Sequence, residues 1–489
     1  MTKLLVIGLD GATLDLIEPW AKQGLLPNLA RLMHAGVYGR LQSVLPVLSS
    51  AAWSSFMTGV NPGKHGLYDF VKRAPDGYQL RPVDRTNLRE PTLWGLLSQV
   101  EKKVCVINVP MTYPPEVVNG IMVTGLGTPD YKTFTYPPEL SKVLIERGYV
   151  VNHEPFKKEN EAKFLEDTFI ITDKVTETAS LLMSDRLWDF FMVVYREPDD
   201  LGHFFWHYLD ETHPKYVKDS PFRNAILDYY QKVDTAIGEL VETSGPETNV
   251  MLLSDHGTGP LYKVVYLNEW LRQNGWLALQ DSKHLQSRSR LWLARLGITR
   301  SNISALLRRN KLGRVERWIK DLLGDKIEAL PKTKLAQYPD AIDWTKTKAY
   351  SFGYNGQIYI NLKGREPQGV VEPGEEYTTL CEQIRKKLFE LKDPDDGLPI
   401  VDQVFYRDEA FWGSEMKDAP DLIVTMRGLS YITRAGFEFS GTDGLIVSDP
   451  AEFLSGGHRM DGVWALSGPD VQGLGYINSL VRIFDLAPT

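Results

Sequence analysis

Cysteine is scarce: Cys105 and Cys381 are the only two in 489 residues. That excludes a disulfide scaffold and a cysteine-built metal centre, and both thiols are expected inside the fold. Long apolar runs are also missing. No stretch approaches the roughly 18 residues that a membrane-spanning helix needs. The run at residues 3–9 has only Lys3 ahead of it, stops at Asp10 and lacks a small-residue cleavage motif. It does not read as an export signal, so a soluble, cytoplasmic protein is expected. Positive charge is in deficit, with 55 Lys and Arg against 63 Asp and Glu, a formal charge of -8. General nucleic-acid binding is not expected of such a chain. Internal repeats and low-complexity segments are absent. What remains is ordinary globular composition, 43% hydrophobic and 24% charged. The chain is long enough for about three domain-equivalents and buries its core without staples.

The hydrophobic pattern predicts an α/β fold. Short apolar runs at 3–9, 103–109, 190–195 and 249–254 suit parallel strands covered on both faces. Helical spacing fills the intervals, at 24–34, 92–99, 162–184 and 221–242. Strands alternating with longer helices predict a doubly wound α/β/α sandwich. Residues 265–343 break the rhythm and read as an inserted, mostly helical subdomain, a cap or lid. The core would then comprise residues 1–264 and 344–489. Further strands are expected at 356–362 and 421–426, and a helix at 375–391. The sequence ends at Thr489, just after Pro488, at a point where a new helix could begin, as it would in a truncated chain.

Chemistry concentrates at the ends of the apolar runs. Asp10 follows the first. In "EPDDLGHFFWH", Asp199 and His203 are four apart and share one face of any helix that begins there. In "LLSDHGTG", Asp255 and His256 follow the fourth run, and Gly257 permits a tight turn. In "SGGHRMDG", His458 reads as part of a glycine-flanked loop. Carboxylates at the carboxyl edge of an open α/β sheet sit where such sheets bind ligands. Six oxygen and nitrogen ligands, Asp10, Asp199, His203, Asp255, His256 and His458, suit two divalent ions. Zn²⁺ is the first choice, with Mn²⁺ or Fe²⁺ as alternatives. Asp200 and His207 are better explained as ordinary neighbours. The segment "PVLSSAAWSSFMTG" supplies hydroxyls. Its apolar spacing predicts a helix beginning near Ser50–Ala51, which leaves Ser49 at the N-terminus as a simple cap or as a nucleophile. Lys64 and His65, in "GKHG", read as substrate contacts or as loop surface in equal measure.

These motifs resemble the type I phosphodiesterase/nucleotide pyrophosphatase family of the alkaline phosphatase superfamily. The resemblance is carried by "VIGLDG", "SSAAWSSFMTGVNPGKHGLYDF", "YREPDDLGHFFW", "LLSDHGTG", "YLNEWLRQNGWL", "APDLIV" and "GGHRMDGVWALSGPD", in that order. It implies an alkaline-phosphatase-like fold and a metal-dependent hydrolase of phosphate esters, most simply a phosphodiesterase acting on a small phosphorylated substrate. It implies two metal sites, one of Asp199, His203 and His458, the other of Asp10, Asp255 and His256 with the Ser49 hydroxyl. Ser49 then corresponds to the family's nucleophile. Where nucleotide pyrophosphatases carry an asparagine after "HG", this chain has Phe70, preceded by Asp69, which joins Lys64 and His65 as a substrate-contact candidate. The residue after the nucleophile is Ser50 rather than the arginine of alkaline phosphatases, which weights diesters over monoesters. The sulfatase pattern is not met, since Ala51 and Trp53 stand where it needs proline and arginine. The competing readings are a cofactor-independent phosphoglycerate mutase-like phosphotransferase and a non-catalytic metal-stabilised binding protein.

One stretch has its own electrostatic character. Residues 283–320 hold eleven Lys and Arg against one acid, Glu316. A cationic lid that draws anionic substrate towards the metals accounts for this best, ahead of docking on an acidic face or contact with an anionic membrane surface. Neutralising Arg308, Arg309, Arg314 and Arg317 together should raise KM for a highly charged substrate more than for a singly charged diester. Both effects should shrink in high salt. Unchanged KM for the charged substrate at low salt would exclude the lid.

Overall fold

The computed structural model describes residues 3–129, 133–152, 154–185, 187–280, 339–439, 444–451 and 453–487. The basic stretch 283–320 therefore lies outside the described residues. Ten strands form the main sheet: β1 (Lys3–Leu9), β2 (Val37–Gln42), β3 (Val104–Val109), β4 (Gly120–Thr124), β5 (Thr135–Tyr136), β6 (Phe190–Tyr195), β7 (Thr248–Leu253), β8 (Asp461–Ser467), β9 (Gly475–Tyr476) and β10 (Val481–Arg482). Their order is β9-β2-β8-β7-β1-β6-β3-β4-β5, with β10 also paired to β2. The centre, β7-β1-β6-β3-β4, is parallel, while β8 and β5 run antiparallel on either side of it. All four expected apolar runs are strands of this centre, and the architecture is the expected doubly wound sandwich.

Period-two alternation divides the strands between two buried layers. In β6, Phe191, Val193 and Tyr195 enter one hydrophobic cluster and Phe190, Met192 and Val194 the other. The first cluster is covered by α2 (Glu161–Asp185), α3 (Glu197–Leu209) and α4 (Ala225–Ser244), the second by α1 (Ser49–Thr58). The helix expected at 24–34 starts later, at Pro27, because Gly24 is left-handed (φ +78°) and Pro27 takes the first turn. Both cysteines are buried, and neither forms a disulfide. Among the described residues no helix is long and apolar enough to cross a membrane.

A second cluster of buried residues surrounds a four-stranded sheet, ordered Ala349–Ser351, Gln357–Ile360, Leu422–Met426 and Val401–Tyr406, which helix Glu375–Leu388 covers. Val265, Leu267, Trp270, Leu271, Leu277 and Ile342 belong to that cluster too. Both described flanks of residues 281–338 thus pack with 349–437. The strands at 357–360 and 422–426 and the helix at 375–388 match the expected elements within a few residues. Asp421 anchors this unit. Fully buried, it accepts two bonds from Arg365 and one from Tyr377.

Glycine at position 8 connects the sheet to the site. A Cβ there would lie 2.6 Å from the Trp53 ring and 2.8 Å from Val194. The buried indole of Trp53 uses that space and donates from Nε1 to Asp10 Oδ2 at 2.9 Å. Gly8→Ala should destabilise the fold by about 1–3 kcal/mol through overpacking. It should also lower metal binding by shifting Trp53 off Asp10. Chemical denaturation and a zinc titration of the variant check both, and parental values in both would refute the link.

Candidate metal centre and nucleophile

Four adjacent segments deliver the site to the carboxyl edge of the sheet. Asp10 leaves β1, its N–H bonding Tyr195 O at 2.9 Å. The chain then turns at Gly11 (φ +69°), where a Cβ would sit 2.9 Å from Asp199 Cα, so only glycine lets the two segments meet. Gly11 N–H donates to Asp255 Oδ1 at 3.2 Å. Asp199 and His203 share one face of α3, as their spacing predicts, with His203 Nε2 3.4 Å from Asp199 Oδ2. Asp255 and His256 follow β7 directly.

Two sequence expectations are corrected here. His458 lies not in a loop but in strand Gly456–Arg459, which pairs antiparallel with Gly257–Pro260 and sets His458 opposite Thr258. Gly257 accordingly forms no tight turn. It is a ribbon residue in which a Cβ would meet Asp461 O at 2.2 Å. The helix expected near Ser50–Ala51 begins at Ser49 itself, with Leu48 as the N-cap and no side-chain cap bond. Ser49 is therefore not an N-cap. Its Oγ donates to Asp10 Oδ1 at 3.3 Å and lies 3.1 Å from His256 Nε2. With no side chain capping the helix, the first-turn N–H groups of Ser49, Ser50 and Ala51 are left for another acceptor.

The seven residues converge. Asp10, Asp255 and His256 present ligand atoms within 4.8 Å of one another, and so do Asp199, His256 and His458. His203 Nε2 lies 3.1 Å from His458 Nε2, and the His256 and His458 rings stack at 3.7 Å. Each histidine has a backbone oxygen beside its Nδ1: Gly456 O at 2.9 Å for His203, Gly257 O at 3.1 Å for His256 and Val47 O at 2.6 Å for His458. A carbonyl only accepts, so Nδ1 carries the hydrogen and the neutral ring turns its Nε2 lone pair into the cluster. Two such lone pairs facing each other repel unless a cation or a proton lies between them. Asp199 Oδ1 and Asp255 Oδ2 are buried without hydrogen-bond partners. The donor set, the tautomers and the orphaned oxygens all fit divalent metal ions.

The electrostatics agree. Burial, then the charges of Asp255 and Asp199, raises the Asp10 carboxyl well above the usual range. Burial also raises Asp255. Burial works against an ionised Asp199, but His203 and His458 outweigh it and hold that carboxyl low. Burial would lower His203 as well, yet Asp199 pushes it up to about 9. His458 is driven well down by burial and by His256. Without metal, protons occupy part of the space that cationic charge fills.

The sequence matches the family described as type I phosphodiesterase / nucleotide pyrophosphatase over residues 4–436. The chain belongs to this family. It is thus a metal-dependent hydrolase of the alkaline phosphatase superfamily that acts on phosphate esters. Among solved structures it is similar to phosphonoacetate hydrolase from Sinorhizobium meliloti 1021, in complexes with phosphonoformate (TM-score 0.54) and with phosphonoacetate (TM-score 0.53). Each is 14% identical, over 99% of this chain and 94% of that one. Human ectonucleotide pyrophosphatase / phosphodiesterase 5 is 12% identical over 99% of this chain and 93% of its own, with a TM-score of 0.48. No curated protein sequence matches.

In this phosphodiesterase family member His65 and Asp69 bond to residues outside the cluster. His65 is fully buried. Leu67 N–H donates to its Nδ1 at 3.2 Å, and its Nε2 lies 2.9 Å from Ser55 Oγ. Both its nitrogens are engaged, burial lowers its pKa to about 3, and it braces α1. Asp69 is buried against the second unit, its carboxyl raised to about 6 by burial. Lys64 is exposed on the short helix Pro62–His65. Asp200 pairs with Arg196, and His207 Nδ1 lies 2.8 Å from Ser455 Oγ, so both behave as ordinary neighbours.

Protein purified without chelator should carry close to two transition-metal ions per chain, and His458→Ala should lose about one. Elemental analysis showing fewer than one ion in the folded parent, with no gain on zinc addition, would refute the centre. Because Asp10, Asp255 and His203 have raised pKa values, metal must displace their protons. Affinity should therefore fall as pH drops and rise as pH increases towards about 9. Calorimetry in buffers of different ionisation enthalpy should detect proton release on binding.

Proposed function

We propose that the chain is a phosphodiesterase that works through a phosphoseryl intermediate on Ser49. The observation that supports this most is the setting of Ser49 Oγ, at the first turn of a ten-residue helix and between Asp10 and His256. Asp199, His203 and His458 would hold one divalent ion; Asp10, Asp255, His256 and the Ser49 hydroxyl would hold the other. When bound, the pair supplies Lewis-acid stabilisation of the attacking and leaving oxygens. Ser49 Oγ loses its proton to solvent and attacks phosphorus in line. The bond to the leaving alcohol breaks with its electron pair, and solvent protonates that oxygen. The first-turn N–H groups and the helix dipole hold a phosphoryl oxygen. Water then attacks the phosphoserine from the vacated side, freeing Ser49 and a phosphomonoester.

Charge favours the diester. Two divalent ions against the carboxylates Asp10, Asp199 and Asp255 leave a single positive charge, which an ionised Ser49 cancels. Position 50 adds no cation, since the Ser50 side chain is a buried hydroxyl. A monoanionic diester burdens such a site less than a dianionic monoester.

Ser49→Ala should retain metal and lose activity on the order of 10³-fold, while Ser54→Ala and Ser55→Ala lose far less. Bis-p-nitrophenyl phosphate should be hydrolysed faster than p-nitrophenyl phosphate. Phosphonoacetate belongs in the panel because of the similarity in fold. Near-parental turnover by Ser49→Ala would reject the phosphoseryl intermediate. Phosphoryl return to a substrate hydroxyl would identify a mutase-like transferase. Full metal occupancy without turnover on any ester would identify a binding protein.

A further inference from the structure

The second unit is linked to the metal centre through Val47 O. Val47 O lies 2.6 Å from His458 Nδ1 and accepts from the Asn355 side-chain amide Nδ2 at 2.8 Å. A carbonyl oxygen has two lone pairs, so both are engaged. Only the NH₂ end of an amide can face a carbonyl, which fixes the orientation of Asn355. Val47 is itself fully buried and precedes the nucleophile by two residues, and Leu48 N–H bonds back to Pro46 O at 2.8 Å. One carbonyl thus sets the ring of His458 and lies on the segment that leads into α1.

Asn355 is held firmly enough to do this. It is buried in the bend between strands Ala349–Ser351 and Gln357–Ile360. Thr433 clamps that bend. Its Oγ1 donates to Gly353 O at 2.6 Å and accepts from Gly356 N at 3.0 Å, while its N–H donates to Tyr354 O at 2.8 Å. Gly353 N–H adds a bond to Ala435 O at 2.9 Å. At Gly356 (φ +69°) a Cβ would lie 2.1 Å from Val424 O, so the bend is seated tightly on the next strand.

We propose that Asn355 is a positioning residue of the metal centre. Its amide holds Val47 O where that oxygen fixes the tautomer and direction of His458 and the approach to Ser49. The proposal rests on the two-ion reading of the site. Asn355→Asp keeps the shape but replaces the donor with an acceptor facing a carbonyl. In the full chain, zinc affinity measured by competition with a chromophoric chelator should weaken about 10–100-fold at one of the two sites. On bis-p-nitrophenyl phosphate kcat should fall while KM moves less than about threefold. Thr433→Val, which removes only the clamping hydroxyl, should act in the same direction and more weakly. It carries the test if Asn355→Asp does not fold. Because Asn355 acts through His458, adding Asn355→Asp to His458→Ala should weaken zinc binding further by less than about twofold. Parental zinc affinity and kcat in Asn355→Asp would overturn the proposal. A full additional loss on top of His458→Ala would do the same, by making Asn355 a general structural contact. Failure of the phosphoseryl reading is separable: it would show as turnover by Ser49→Ala and leave these zinc measurements unaffected.

Discussion

Three carboxylates, Asp10, Asp199 and Asp255, share one desolvated space at the ends of neighbouring parallel strands. Most features of the molecule near them follow from having to keep them there. Like charges out of water repel strongly, and a protein tolerates them only with counter-charge at hand. The sheet register places Asp10 and Asp255 side by side, because β1 and β7 are parallel neighbours with Gly8 opposite Leu253. The space is then closed by glycine rather than by side chains. Gly8 admits Trp53 to one oxygen of Asp10, and Gly11 lets α3 approach until Asp199 joins the group. Backbone carbonyls turn three imidazoles inward through Nδ1. A fold that did this without a cation would leave buried acceptors unsatisfied, and Asp199 Oδ1 and Asp255 Oδ2 are such acceptors.

How much of this was legible in the sequence depends on how local each feature is. Asp10, Asp199 and Asp255 with their histidines could be found because fully apolar runs mark parallel strands, and the chain leaves each at the same edge. The Asp199–His203 pair follows from helical spacing alone. His458 is equally visible in the sequence, but the strand that carries it is not. The segments Gly456–Arg459 and Gly257–Pro260 have no apolar alternation, and their ribbon exists through backbone pairing, which composition does not reveal. His65 stands in a glycine-flanked motif that reads like a site loop. It is instead fully buried, with Nε2 2.9 Å from the Oγ of Ser55, ten residues earlier. Asn355 is not marked in the sequence at all. A lone amide between two glycine turns carries no periodic signal, and its partner Val47 is 308 residues away. The same non-locality affects residues 265–277. Their helical spacing is plain, but the surface they bury against lies at 342–437.

The two halves of the cluster differ in access, and that gives the proposed reaction a direction. Asp10, Asp255 and His256 are fully enclosed, at 1% exposure or less. The side chains of Asp199, His203 and His458 keep 15%, 26% and 12% of their surface. Ser49 bonds to the enclosed half. In-line displacement sets the attacking and leaving oxygens on opposite sides of phosphorus. An attack from Ser49 therefore points the leaving group towards the open half, past His203 and His458, where the bulk of a substrate has room. On this arrangement the nucleophile side is shaped by packing shared with the sheet core. Selectivity for the leaving alcohol falls to the residues around the open half and to whatever the chain places over it.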